Sequence, residues 1–311
     1  MSELVQYGQQ VRAGIVEDSA FAAYIFSAPL EDDPWDEATW AKANPALGDF
    51  RSLEEMRSEA SVAQRIPARE AVFRNLYLNQ PVEADERLIH ARDWDPLSEA
   101  FDPDDLRGQR CIAGLDLGSV SDLTGLALYF PDTGHVLAWG FLPADQLDEK
   151  ERADRAPYKL WRDRGCIIPT PGRAIHKGFV AAKLRELAEN YDLQAVAYDR
   201  WMFKDLEVIC DAEGIWLPFQ PVGQGFKDMG PAVGEFERLV LDGKLRHGGN
   251  PLLKWCLSNV SVNTDPAGAR KPAKDRSRGR IDPLVALIMA CGQAARMPAA
   301  PSYEYTGMLI G

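Results

Sequence analysis

The chain has 311 residues, 46% of them hydrophobic and 26% charged, with a formal net charge of −12 at pH 7. That length suits one large domain or two smaller ones, and the composition is that of a soluble globular protein, not of a disordered or fibrous one. No apolar run is long enough to span a bilayer, and the start MSELVQYGQQVRAGIVEDSA lacks the basic and apolar regions of a signal peptide, so a cytoplasmic protein without membrane contact is expected.

The first third reads as helical and irregular. FAAYIFSAP (21–29) has the apolar content of one strand. SLEEMRSEASVAQRI opens with Ser52 and places Glu55 three residues on, the capping-box signal for a helix. PAREAVFRNLYLN (67–79) begins with a proline suited to a first helical position and spaces Ala71, Phe73, Leu76 and Tyr77 at roughly helical intervals. Residues 81–105, with six aspartates and prolines at 81, 96 and 103, read as a linker or wrap.

From residue 108 the pattern changes to strands alternating with helices. Strands are expected at 111–117, 122–130 and 135–142, then a long polar helix at about 144–164 and a second helix at 177–190. QAVAYD (194–199) reads as a strand, 201–213 as a helix, 215–219 as a short strand and 231–242 as a helix. The last element is a helix opening at Asp282, DPLVALIMACGQAAR, before a poorly periodic tail. Three hairpin-linked strands followed by helix–strand alternation predict an α/β fold, a mixed sheet flanked by helices.

The acidity is unevenly placed. Residues 1–105 hold 22 acidic and 9 basic side chains, a net of −13, whereas the remaining 206 hold 25 and 26, a net of +1. Within that second part ARKPAKDRSRGR (269–280) carries six basic residues and one acidic, so the overall charge does not exclude a polyanionic partner. On charge pattern alone the stretch is equally a solvated loop. Cys111, Cys166, Cys210, Cys256 and Cys291 form no CxxC pair, so reduced packing thiols are expected and a zinc site is not.

Three aspartates end or interrupt apolar elements. Asp116 follows CIAGL, Asp199 closes LQAVAY, and Asp282 opens the final helix. In a mixed sheet of this order the first strand and the QAVAYD strand lie side by side, and the start of the last helix approaches from one flank. Converging carboxylates repel one another, and a hard divalent cation such as magnesium or manganese removes the conflict. Asp122, across a short turn from Asp116, offers a fourth oxygen. Each has a plain alternative: Asp282 before Pro283 fits an N-cap, and Asp199 and Asp122 fit turns. Asp116, with apolar neighbours on both sides, is the hardest to explain without a partner.

Other signals are weaker. His90, His135, His176 and His247 form no HxH or HExxH pattern, and GQGFKDMGP (223–231) lacks the strand–glycine–helix context of a dinucleotide loop and reads as a loop. There is no GxxxxGK[ST] anywhere in the chain. The tryptophans at 35, 40 and 94 suit packing anchors.

GLDLGSVSDLTGLAL, LQAVAYDRW and RGRIDPLVALIMA, in that order, resemble the nuclease domain of the large terminase subunits of tailed phages. Upstream, IFSAPLEDDPWDEATWAKANPALGDFRSLEEM and AREAVFRNLYLNQPV are similar to the segment joining that family's ATPase motor to its nuclease. The resemblance implies an RNase H-like nuclease domain over 106–297, preceded by a helical and irregular segment at 1–105 and followed by a flexible tail at 298–311. It implies that the chain begins after the motor's core, since no Walker motif is present. It also implies metal-dependent cleavage of double-stranded phage DNA in the host cytoplasm, with two Mg2+ or Mn2+ ions. Asp116, Asp199 and Asp282 would be the catalytic ligands and Asp122 an additional one. Arg270, Lys271, Lys274, Arg276, Arg278 and Arg280 would contact DNA phosphates. A portal protein, a small terminase subunit and an ATPase motor domain are the implied partners.

Two other readings compete. GLDLGS also resembles the opening turn of sugar kinases and actin-like ATPases, but AYDRW offers no second, DxGGGT-like phosphate turn. Alternatively the chain is a non-catalytic docking module of a packaging motor, its acids holding a structural metal.

Overall fold

The computed structural model describes residues 5, 7–8, 11–12, 18–65, 67–80, 87–119, 122–200, 203–277 and 279–297. The chain divides into two compact units, Met1–Glu86 and Arg87–Gly311. The expected tail at 298–311 lies outside the described residues, as do 81–86 of the expected linker.

In the first unit, α1 (Glu37–Ala43), α2 (Leu53–Arg65) and α3 (Pro67–Tyr77) surround a small core of Trp40, Met56, Phe73 and Leu78. The capping signal is realised, because the Glu55 amide donates to Ser52 Oγ at 3.2 Å and α2 starts at the next residue after Ser52. Trp35 stacks on Phe73 with ring centroids 5.6 Å apart, and Trp40 is buried, so both act as packing anchors. The expected strand at 21–29 does not form. That stretch is tied to the end of α3 by single bonds, Ala28 N–H to the Leu78 carbonyl (3.0 Å) and Asn79 Nδ2 to the Phe26 carbonyl (2.9 Å), with no ladder to make it a strand.

The second unit begins inside the segment whose composition suggested a linker. Leu88, Ile89 and Trp94 are core residues there, Trp94 closing the short helix α4 (Ala91–Trp94) and stacking on His247 at 4.1 Å. The sheet contains β1 (Arg110–Asp116), β2 (Thr124–Tyr129), β3 (Val136–Pro143), β4 (Ile167–Thr170), β5 (Asp192–Asp199) and β6 (Phe219–Val222), in the order β4-β3-β2-β1-β5-β6. β1 runs antiparallel to β2 and parallel to β5, so the expected mixed sheet and its central neighbours are both present.

The helical prediction at 144–164 resolves into two pieces, α5 (Leu147–Asp154) and α6 (Tyr158–Asp163), separated by Arg155 in the left-handed region (φ 50°) and by Pro157. After α7 (Lys177–Asn190) and α8 (Phe203–Ala212), the strand expected at 215–219 falls at β6, later by about a strand length. The 223–231 stretch is not all loop. α9 (Phe226–Leu241) starts there, with Pro231 inside it, because burial of Met229, Ala232, Val233 and Phe236 outweighs the poor local propensity. α10 (Pro251–Asn259), capped by Asn250, and the small hairpin β7 (Val262–Thr264)–β8 (Arg270–Pro272) were not expected from the sequence.

The period of two in β1 divides the two layers. Cys111, Ala113 and Leu115 share a core with Val180, Ala181 and Leu184 of α7 and Leu206 of α8. Ile112 faces the other layer, shared with α9, α10 and α11 (Asp282–Arg296). α11 is buried from Asp282 through Gly292, as an all-round apolar helix must be. It approaches the sheet closely over two glycines: a Cβ on Gly114 would lie 1.8 Å from the Ala286 carbonyl oxygen, and one on Gly125 would lie 2.3 Å from Asp282 C.

Candidate metal centre and nucleic-acid cleft

Asp116 is the last residue of β1 and pairs with Gly125 of β2. Asp199 is the last residue of β5, and since Leu115 pairs with Tyr198 in parallel register, the two aspartates follow at the same end of adjacent strands. Asp282 is the first residue of α11, which Gly125 admits directly against the sheet. Topology therefore brings together the ends of two strands and one helix. The capping alternative for Asp282 does not hold: Ile281 is the N-cap, no side chain caps the helix, and Asp282 Oδ1 instead accepts from Lys274 Nζ at 2.9 Å.

Asp116 is 1% exposed. Lys274 Nζ lies 2.6 Å from Asp116 Oδ2 and meets its charge, while among the described residues Oδ1 accepts no hydrogen bond. Burial pushes the Asp116 pKa up to about 7, Lys274 opposes that rise, and the neighbouring Asp282 and Asp199 charges add to it. For Lys274, burial acts to lower the pKa, but Asp116 and Asp282 outweigh it and hold the ammonium protonated.

Beside this cluster a cleft of about 290 Å³ is lined by Asp122, Asp154, Lys274, Arg280 and Asp282, among others. Arg280 pairs with Asp122 and, through Nε at 3.1 Å, with Asp154 Oδ2. Asp154 also accepts from Tyr158 Oη at 2.9 Å. The Tyr158 hydroxyl is held firmly protonated, first by burial and then by the Asp154 charge. Asp154 and Tyr158 escaped the sequence reading because they belong to a highly charged helical run whose acids look like a solvated face. The break at Arg155–Pro157, which turns that run toward the cleft, was the available signal.

The basic stretch is less free than its charge suggests. Arg270 donates to Glu237 Oε1 (2.6 Å) and to the Arg87 carbonyl (2.7 Å), and Lys271 donates to the Gln224 carbonyl (3.3 Å) and sits over the Phe226 ring. Lys274 and Arg280 are paired with the cleft's acids, Arg276 is exposed, and Arg278 lies outside the described residues.

The donors fit a hard divalent cation: they are carboxylate oxygens, and the Oδ1 of buried Asp116 accepts no hydrogen bond among the described residues. Among the described residues, however, no group of three His, Cys, Asp or Glu side chains stands in metal-binding geometry as it is. The Lys274 ammonium bridges Asp116 and Asp282. The histidines lie elsewhere. His247 is buried with Nε2 3.0 Å from the Trp94 carbonyl, and burial lowers its pKa. All five cysteines are free, and burial pushes the Cys111 thiol up to about 12. No helix among the described residues is long and apolar enough to cross a membrane.

Residues 15–297 match the family described as terminase large subunit, endonuclease domain. The chain is 39% identical over 281 residues to the terminase large subunit of Enterobacteria phage HK97, which covers 89% of this chain and 55% of that protein. It is 24% identical over 299 residues to protein YmfN of Escherichia coli K12, covering 90% of this chain and 64% of that one. The crystal structure of the HK97 bacteriophage large terminase is similar with a TM-score of 0.63 at 37% identity, over 93% of this chain and 60% of that chain. The chain thus spans 55% of the length of the HK97 protein it matches.

Proposed function

We propose that this chain, which belongs to the terminase large subunit family through its endonuclease domain and has that family's RNase H-like mixed sheet, is a divalent-metal-dependent endonuclease that cuts double-stranded DNA during phage genome packaging. One observation carries the reading. A carboxylate 1% exposed sits at the meeting point of β1 and α11, next to two more acids, with one lysine ammonium paired to two of the three. A single positive charge does not offset three converging acids, which favours a divalent cation there.

Asp116, Asp199 and Asp282 would hold two Mg2+ or Mn2+ ions, with Asp122 as a further oxygen donor. Bound there, such ions supply a water-derived nucleophile near neutral pH and stabilise the departing 3′ oxygen. The chain's own part is positioning. β1 and α11 fix Asp116 and Asp282 on rigid elements, and the Gly118 amide, donating to Thr124 Oγ1 at 3.1 Å, orders the turn after Asp116. Lys274 and Arg280 line the cleft where a phosphate would enter, and Arg276 and Arg278 belong to the same basic stretch of sequence. Phosphate contacts hold register without reading bases, so little sequence preference is expected. Packaging motion needs an ATPase motor, and this chain has no phosphate-cradling GxxxxGK[ST] loop. A motor domain, a portal protein and a small terminase subunit, in the host cytoplasm, complete the proposal.

Incubating supercoiled plasmid with the protein and Mn2+ tests it. Nicking that disappears in Asp116→Ala supports the nuclease. Nicking that persists in that variant points to contamination, and absence of nicking from the wild-type chain under all divalent ions tried removes the proposal and favours a docking role.

A further inference from the structure

In the structure the charge of Asp116 and Asp282 is met from within the chain. Lys274 Nζ stands 2.6 Å from Asp116 Oδ2 and 2.9 Å from Asp282 Oδ1, bridging a side chain that is 1% exposed and one that is 10% exposed. The lysine itself is 46% exposed and follows β8, in the turn between the hairpin and α11. Its two partners are held on rigid elements, whereas it reaches them on a four-carbon stem from a turn. The ammonium can therefore leave without disturbing the carboxylates.

We infer that Lys274 is a tethered counter-ion that occupies the position of a divalent cation between Asp116 and Asp282, and that loading metal expels it into the cleft, where it pairs with a DNA phosphate. This inference rests on the metal-dependent reading above and adds its regulation. A single positive charge leaves two carboxylates as a double charge enters. The displaced ammonium stays within the cleft lined by Arg280, so one event both loads the site and adds a cation for the backbone of DNA. Without metal, the same lysine keeps the acids satisfied and the phosphate contact withheld. One ammonium pairs with both acids but brings a single positive charge against two negative ones, so a divalent cation can displace it.

Two measurements test this on the whole chain. In the first, Mn2+ affinity is taken from thermal-shift titrations at pH 8.5 for the wild type, Lys274→Met and Lys274→Arg. Removing the internal competitor should tighten Mn2+ binding by about tenfold in Lys274→Met, a partly buried ion pair's worth, while Lys274→Arg stays near wild type. Equal or weaker binding in Lys274→Met overturns the exchange. In the second, an amine-reactive reagent labels the wild-type protein with and without Mg2+, and Lys274 modification is read by mass spectrometry. An amine must lose its proton to react, and two adjacent carboxylates oppose that loss, so labelling of Lys274 should rise several-fold once metal displaces it. Unchanged labelling at a Mg2+ concentration that raises the melting temperature refutes the inference but spares the metal site. If neither ion shifts the melting temperature of any variant, the inference and the metal-dependent reading fall together.

Discussion

A carboxylate buried beneath α11 beside two other acids holds its proton more tightly in the folded chain than in the unfolded one. Burial, with Asp282 and Asp199 alongside, raises Asp116 from its ordinary value of 3.8 to about 7. The sign follows from proton linkage: the folded-state pKa is the higher, so the stabilisation is fully present below about pH 4 and is lost as pH rises through 7. Replacing Asp116 with the neutral, isosteric asparagine removes that dependence. In the presence of a chelator at pH 8, Asp116→Asn should be the more stable protein by on the order of 2 kcal/mol, after the lost ion pair to half-exposed Lys274 is set against the relief. The advantage should shrink toward zero near pH 4. Added Mg2+ should reverse the order, stabilising the wild type and leaving Asp116→Asn unmoved. Paired melting curves across that pH range check all three statements, and a wild type that is the more stable at pH 8 without metal contradicts the account of Asp116.

What brings the acids together is the seating of α11 on β1 and β2. An added Cβ at Gly125 would fall 2.3 Å from both Asp282 C and Pro283 N, backbone atoms that cannot rotate aside. Gly125→Ala must then lift the first turn of α11 and carry Asp282 from Asp116. The expected cost is about 1–3 kcal/mol, as for other overpacked cores, together with at least partial loss of the Mg2+-dependent rise in melting temperature. Gly178→Ala in α7 meets nothing within 4 Å and serves as the control, with unchanged or slightly raised stability. If both variants respond equally to Mg2+, the close approach at Gly125 does not position the site. Much of this arrangement was legible in advance. β1, β5 and α11 are apolar runs ending or beginning in an aspartate, and the neighbouring of β1 and β5 was expected from the mixed-sheet pattern. Less was legible where local and tertiary preferences conflict. β4 is four residues with Pro169 among them, α9 follows Gly223 and Gly225 and contains Gly230, Pro231 and Gly234, and the 144–164 run is periodic enough to hide the break at Arg155. The pairing of Lys274 was not legible at all. A run of six cations in sequence does not reveal which of them will find carboxylates contributed by distant strands.

On the scale of the molecule, a chain of net charge −12 repels a polyanion, so DNA affinity has to come from cations that are locally available and not already spent within the protein. The basic stretch separates into two kinds. Arg270 is committed internally, to Glu237 and to the Arg87 carbonyl, in a partly buried setting that raises the Glu237 pKa through burial while Arg270 acts to lower it. Arg276 is exposed. Counter-ion release gives the two kinds different signatures, since each phosphate contact contributes roughly 0.9 to the slope of log affinity against log salt. In an Asp116→Ala background, which should leave DNA intact, Arg276→Ala should weaken duplex binding and reduce that slope by about one, with little change in melting temperature. Arg270→Ala should leave the slope unchanged and lower stability by about 1–2 kcal/mol, because Glu237 loses its partner. Anisotropy titrations of a labelled duplex at several salt concentrations, beside melting curves, separate the effects. Two variants with the same slope would mean that pairing within the protein does not decide which of these cations reach DNA. A slope that falls in Arg270→Ala alone would mean that DNA binding breaks the Glu237 pair and recruits the arginine held there.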